Sequence, residues 1–374
     1  MAQYFTERLQ KVFHMIFRSY NQEMAQEGLR QLELIVNNQQ SPEQTKHQAL
    51  RNDMTTSLEN EIDTKEDALK IANNPESREI ADAYALLARI YAGPRFTWEE
   101  SNFPENNMRT YQCLHDSIRR CSPIGTLQAL RINGTITPTV EKDMLISFND
   151  AFRIVYDYAE QGDAFCQYII GNVFFWRDDN RISLARDMIT PPRLSWTKRI
   201  QQSLQKGSIQ ERIGALQGTV SDETLQKNAT TFAKEWFNKV LNNGLAMFQG
   251  NLRNIYIDEG DFDNARRVAL TAAELGNPTM MLYTGLDCHE HGKFEDAFTW
   301  FTKGASLGQA ESTAELADYY YHFYDTKELR RLIPYNPVKA IGLYRRAATK
   351  HFSDAGYAAL QAAFGYIFHI GHLP

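Results

Sequence analysis

One module is written twice between Gly244 and Ala310, and it limits what this chain can fold into. Gly260-Asp-Phe-Asp-Asn-Ala265 returns as Gly292-Lys-Phe-Glu-Asp-Ala297, and Thr271-Ala-Ala-Glu-Leu-Gly276 returns as Lys303-Gly-Ala-Ser-Leu-Gly308. Both blocks recur after 32 residues. A unit of that length cannot bury its apolar face alone, so neighbouring units must stack. The period therefore predicts an all-α array of antiparallel helix pairs, an α-solenoid.

The same ruler reads the rest of the C-terminal half. Leu245–Tyr256 pairs with Phe262–Leu275, and Thr279–His291 pairs with Phe294–Leu307. Glu311–Tyr324 opens a further unit whose second helix is Pro337–Lys350. Ala297 and Ala340 are 43 residues apart, 11 more than the period, and the excess falls around Lys327–Asn336. Ala355–Ile370 reads as a terminal helix. Upstream, Gly162–Trp176 reads as a first helix, with Tyr168 and Gly171 at the positions later held by Tyr283 and Leu286. Its partner, Thr231–Asn243, carries Trp236, Phe237 and Val240.

Between those two helices lies an irregular insertion, 177–228, with nine basic and six acidic residues in a chain of net charge −6. Pro191-Pro192 breaks it, and Ser195–Gln205 reads as a helix with Trp196, Ile200 and Leu204 on one side. Insertions in repeat proteins map to exposed loops, where individual function concentrates. Arg193, Trp196, Lys198 and Arg199 are the binding candidates there. The bland alternative is a solvated decoration.

Residues 1–150 read as an N-terminal helical region with degenerate repeats, and 151–374 as the repeat array proper. A helix over 3–37 carries Phe5, Leu9, Val12, Phe13, Ile16, Phe17 and Tyr20 at helical spacing, with a break near Gly28. A polar stretch follows, with a helix after the capping sequence Ser41-Pro-Glu-Gln44. Glu79–Gly93 resembles the first helix of a repeat. Pro94–Pro104 inserts Phe96, Trp98 and Phe103 before a helix over Met108–Cys121. Ile132–Thr139 is a link, and Val140–Glu160 a further helix.

Composition excludes little but does exclude some things. Net charge −6, from 40 basic and 46 acidic residues, argues against a non-specific nucleic-acid binder. Four cysteines in 374 residues are no disulfide framework and fit a reducing compartment. No basic leader precedes an apolar run and no stretch is apolar enough to span a bilayer, so a cytoplasmic protein without membrane contact is expected.

Chemistry-bearing strings are weak. On a helix, Cys288 and His291 of Cys288-His-Glu-His291 share a face and His289 does not, too few ligands for structural zinc. His369-Ile-Gly-His372 spells a nucleotide-binding signature of one class of aminoacyl-tRNA synthetase, but trails a helix instead of following a strand. Phosphate-binding glycine loops and a Gly-x-Ser-x-Gly elbow are absent from the sequence. Neither enzyme chemistry, cofactor nor metal is expected. The aromatic run Tyr319-Tyr-Tyr-His-Phe-Tyr324 either stacks on a bound peptide or packs against the Lys327–Asn336 loop.

The pattern Ala-x-x-x-Phe/Tyr-x-x-x-Ala-Ala-x-x-Gly, best over Lys293–Ala310 and Pro337–Ala355, resembles the Sel-one-like repeat family, relatives of the tetratricopeptide repeats. The resemblance implies a right-handed α-solenoid and a scaffold or adaptor role; some bacterial members act in signalling or host interaction. The resulting expectation is a non-enzymatic adaptor that binds a protein or peptide in a groove lined by first helices. Asn251, Asn254, Tyr283, Asp287, Tyr320 and Tyr324 are the groove candidates. The alternative is a regulator or toxin-neutralising partner that masks another protein through 177–228. A third reading, an enzyme or nucleic-acid binder using the insertion's basic side, stands behind both.

Overall fold

The computed structural model describes residues 3–37, 64–93, 96–98, 101–132, 144–192, 195–206, 208–209, 220–247, 249–324, 326–349 and 358–363. Every regular element among them is helical. The helix after Ser41, most of the Ile132–Thr139 link, Arg193 and His369–His372 lie outside the described residues. Of the expected terminal helix, 358–363 is described and is helical. Among the described residues, no helix is long and apolar enough to cross a membrane.

The N-terminal stripe forms two helices, α1 (Glu7–Phe17) and α2 (Gln22–Asn37). The break comes at residues 18–21, with Tyr20 in the left-handed region (φ 47°), and not at Gly28. Gly28 lies inside α2, and a Cβ there would stand 2.6 Å from Ile16. The glycine permits close helix approach instead of ending the helix.

The chain divides into two compact units. The first comprises Met1–Gln10, Leu32–Arg89 and Asn107–Asn243. It contains α3 (Lys65–Asn73), most of α4 (Glu79–Tyr91), α5 (Asn107–Arg119), α6 (Pro123–Ile132), α7 (Phe148–Glu160) and α8 (Ala164–Phe175). After a 3₁₀ turn at Asp178–Asn180 come α9 (Ser183–Ile189), α10 (Trp196–Leu204) and α11 (Asp222–Asn242). Helices α5, α6, α7 and α8 pack in succession, and α8 packs on α11 across the insertion.

A buried ion pair ties the start of the chain to this unit. Arg78 is wholly buried and donates to Asp82 Oδ2 (3.0 Å), Ala72 O (2.7 Å) and Tyr4 O (2.7 Å). Tyr4 N donates to Asp163 Oδ2 at 3.0 Å, and the Tyr4 ring meets Tyr158 edge-on at 5.2 Å. Burial pushes the Asp82 carboxyl up to about 6, against the opposing pull of Arg78 and Ser122.

The second unit comprises Lys11–Gln31, Ile90–Asn106 and Gly244–Pro374. Trp98 is buried in it, and its Nε1 donates to Ile16 O at 2.8 Å. The repeat supplies α12 (Gly250–Asp258), α13 (Phe262–Glu274), α14 (Pro278–Glu290), α15 (Phe294–Ser306) and α16 (Ala310–Tyr321). Each packs on the next, and after the short α17 (Lys327–Leu332), α18 (Pro337–Ala348) packs on α16.

The repeated glycines are the reason the helices reverse. Gly260 and Gly292 take φ of 74° and 71°, conformations that L side chains avoid. At Gly292 the chain makes both bonds of a Schellman turn: Gly292 N to His289 O (2.9 Å) and Lys293 N to Cys288 O (2.8 Å). The same pair of bonds forms at Gly276 and Gly308. Side chains then start the next helix. Asn277 accepts from Met280 N at 3.0 Å and also donates to Ala246 O at 2.9 Å, stitching adjacent pairs.

Candidate functional site

The 32-residue register aligns side chains on α12, α14 and α16 into columns. Asn251, Tyr283 and Glu315 form one column; Ile255, Asp287 and Tyr319 form another. All three helices lie in the second unit and are successive first helices of their pairs.

Asn254 is exposed, and Asn251 and Tyr283 are half-buried. The Arg253 guanidinium lies 3.9 Å from the Tyr283 ring centroid, so α12 and α14 meet through a cation–π contact at the surface. Asp287 is half-buried, with Arg266 Nη1 and His291 Nδ1 each 3.6 Å from its Oδ1. Asp258 and Glu290, register-equivalent and both exposed, close the α12 and α14 ends of the face with negative charge.

The aromatic run resolves into separate roles. Tyr319 is wholly buried against Phe301 and Leu329. Its hydroxyl meets His289 Nδ1 at 2.7 Å, and burial holds the phenol well above its ordinary range. Tyr324 lies 4.3 Å from the His289 ring and donates to Glu315 Oε2 at 2.8 Å. Tyr320 accepts from Lys339 Nζ at 2.7 Å while its backbone carbonyl accepts from Asn336 N at 2.9 Å. Tyr320 and Tyr324 are thus half-buried and already engaged with protein partners.

The insertion candidates belong to the first unit. Trp196 opens α10, Lys198 is exposed and Arg199 is half-buried. The apolar stripe on α10 faces out in part: Leu204 is 76% exposed, as is Ile209 beyond the helix. The insertion's acidic groups are partly spoken for. Asp179 is buried and accepts from Arg177 Nε (2.9 Å) and Arg186 Nη1 (3.1 Å).

Among the described residues no three His, Cys, Asp or Glu side chains converge as a metal site. In Cys288-His-Glu-His291, the His289 ring faces Tyr319 and the His291 ring faces Asp287 O at 2.7 Å. Burial raises the thiols of Cys113 and Cys121 to about 11, which makes them poor nucleophiles at neutral pH.

The structure also shows a pairing that the sequence reading misplaced. Gly171 corresponds to Gly285, not to Leu286, and Tyr168 corresponds to Leu282. A Cβ on Gly285 would stand 2.6 Å from Phe301, and one on Gly171 would stand 2.6 Å from Phe237. In both units a first-helix glycine receives the ring of the second helix. The signal was present: Gly162 precedes Gly171 by nine residues, as Gly276 precedes Gly285.

No family model and no curated protein matches this chain. Among solved structures it is similar to a Sel1 repeat protein from Oxalobacter formigenes, at 13% identity and TM-score 0.38, covering 76% of this chain and 94% of that one. It is also similar to a protective antigen of uropathogenic Escherichia coli strains displaying an SLR fold, at 14% identity and TM-score 0.32, covering 97% of this chain and 79% of that one. Both neighbours carry the Sel1-like repeat, the family that Lys293–Ala310 and Pro337–Ala355 of this chain resemble.

Proposed function

We propose that this protein is a non-enzymatic scaffold that binds a protein or peptide along the face of α12, α14 and α16. The observation that carries this reading is the Arg253–Tyr283 contact at 3.9 Å beside exposed Asn254. Arginine and tyrosine at a pre-ordered surface are the residue types that anchor partners, and a neighbouring amide fixes backbone for roughly 1 kcal/mol per bond. Affinity capture from source cells with the intact chain, a Tyr283→Ala/Asn254→Arg variant and a chain lacking 195–206 tests it. Loss of the captured protein with the first variant and retention with the second supports the face. The reverse pattern overturns it.

A second reading rests on a different observation. Leu204 and Ile209 are each 76% exposed within the segment that carries an excess of basic residues. A regulator that masks another protein would present such a surface, and the same capture experiment then shows loss on deletion of 195–206.

A further inference from the structure

The segment between α16 and α18 breaks the 32-residue ruler, yet it is firmly built. His322 ends α16 in the left-handed region (φ 56°) with the two bonds of a Schellman turn, His322 N to Tyr319 O at 3.3 Å and Phe323 N to Asp318 O at 3.0 Å. This is the turn that glycine makes in the regular repeats, placed two residues early, and a side chain there costs about 1 kcal/mol. The imidazole recovers part of that cost: His322 Nε2 lies 2.7 Å from Ile333 O across the insertion. Thr326 caps α17 through Leu329 N at 3.1 Å, and Asn336 N donates to Tyr320 O at 2.9 Å. Leu329 and Ile333 are buried in the same core as Phe301 and Tyr319.

Those contacts fix the inward side of the insertion; its outward side is apolar and basic. Phe323 and Tyr335 are each 56% exposed, and Leu332 is 41% exposed. The Tyr335 ring lies 5.5 Å from His322 and 6.0 Å from Tyr321, so it is placed and not merely dangling. Lys327, Arg330 and Arg331 are exposed on the intervening helix. Residues 322–349 hold six basic against two acidic side chains, whereas 250–306 hold five basic against nine acidic. Half of those six, Lys327, Arg330 and Arg331, lie in the insertion itself, where Glu328 is the one acidic residue between Lys327 and Asn336.

We propose that this insertion is a docking surface for an acidic peptide segment with an apolar anchor. It is a surface separate from the α12–α14–α16 face and stands whether or not that face binds. Charge selects the occupant: an acidic segment is steered to Lys327, Arg330 and Arg331, while Phe323 and Tyr335 take its apolar side chain. Pinning at His322, Leu329, Ile333 and Asn336 means that little ordering cost remains for binding. An anionic lipid surface is the weaker match. Leu329 of α17 and the adjoining Ile333 are spent on the core, and six residues make too short a helix to lie in an interface.

The test is fluorescence anisotropy at low ionic strength with a labelled Glu-rich peptide containing one Trp and one Leu. Controls are its Lys-for-Glu counterpart and phosphatidylserine/phosphatidylcholine vesicles. Saturable binding of the acidic peptide alone is expected, weakened about tenfold by Lys327→Glu/Arg331→Glu and about fivefold by Tyr335→Ser. The unfolding midpoint of each variant, expected unchanged, separates lost docking from lost fold. Tyr283→Ala should leave this binding intact, which distinguishes it from the face proposed above. No binding of the acidic peptide, equal binding by all variants, or binding of the vesicles in its place overturns the proposal.

Discussion

Arg266 reaches Asp287 at 3.6 Å at the place in the register where, one repeat later, Phe298 and Tyr319 pack ring to ring at 6.2 Å. The backbone plan is the same and the chemistry is not. The consequence appears at the neighbouring aromatic. Phe294 packs into the core cluster beside His289, but its equivalent Phe262 is 57% exposed. Arg266→Ala is expected to cost no more than about 1 kcal/mol, because the pair is partly open to solvent and screened. Phe298→Ala should cost at least about 2 kcal/mol through lost apolar burial. Urea unfolding of the two variants checks the difference.

Helical glycines divide into those that packing requires, such as Gly285, and those with open space around a Cβ, such as Gly342. Gly285→Ala drives a Cβ against Phe301 and should destabilise by about 1–3 kcal/mol. Phe301→Leu in the same chain should relieve the clash and recover part of that loss. Gly342 lies in α18 with nothing within 4 Å of a Cβ, so Gly342→Ala should stabilise by roughly 1 kcal/mol. Thermal unfolding reads both signs.

Arg78→Met should be among the most damaging single changes. It strands a buried carboxylate and frees two backbone carbonyls, an expected loss of about 3–5 kcal/mol. The folded pKa of Asp82 is raised above the unfolded value, so its contribution is present at low pH and is lost as pH rises. In the intact chain that window runs from about 4 to about 6. Without Arg78 the folded value climbs further, so the variant should lose stability more steeply over the same range. Denaturant midpoints across pH measure it.

His289 gives the opposite sign. Burial lowers its pKa, so the stability it contributes is present above the unfolded value of about 6.5 and is lost as pH falls below it. His289→Gln retains a group for the Tyr319 hydroxyl and removes the titration. The stability advantage of the intact chain over this variant should shrink between about pH 7 and pH 5.

The fold was legible wherever local chemistry repeats. Gly260, Gly276, Gly292 and Gly308 recur with the repeat and mark turns that a left-handed residue closes. The seats of Gly171 on Phe237 and Gly285 on Phe301 both escaped, the first because its partner lies 66 residues away, the second although its partner lies only 16 away. The break at Tyr20 escaped for a related reason: the turn is made by a non-glycine residue held in place by Trp98, whose ring meets it at 5.7 Å. The face is less legible than the fold. Sequence spacing placed Asn254 and Tyr283 on first helices, but it could not show that Arg253 covers Tyr283 or that Glu315 holds Tyr324. The first joins adjacent repeats, and the second depends on how the chain folds back after the left-handed turn at His322.

Hydrogen exchange on the complex with a captured partner shows where the partner sits. Binding along the face slows exchange in 250–258, 278–290 and 310–321 and leaves 196–204 unchanged. Protection confined to 196–204, with the three first helices exchanging as in the free chain, would contradict it.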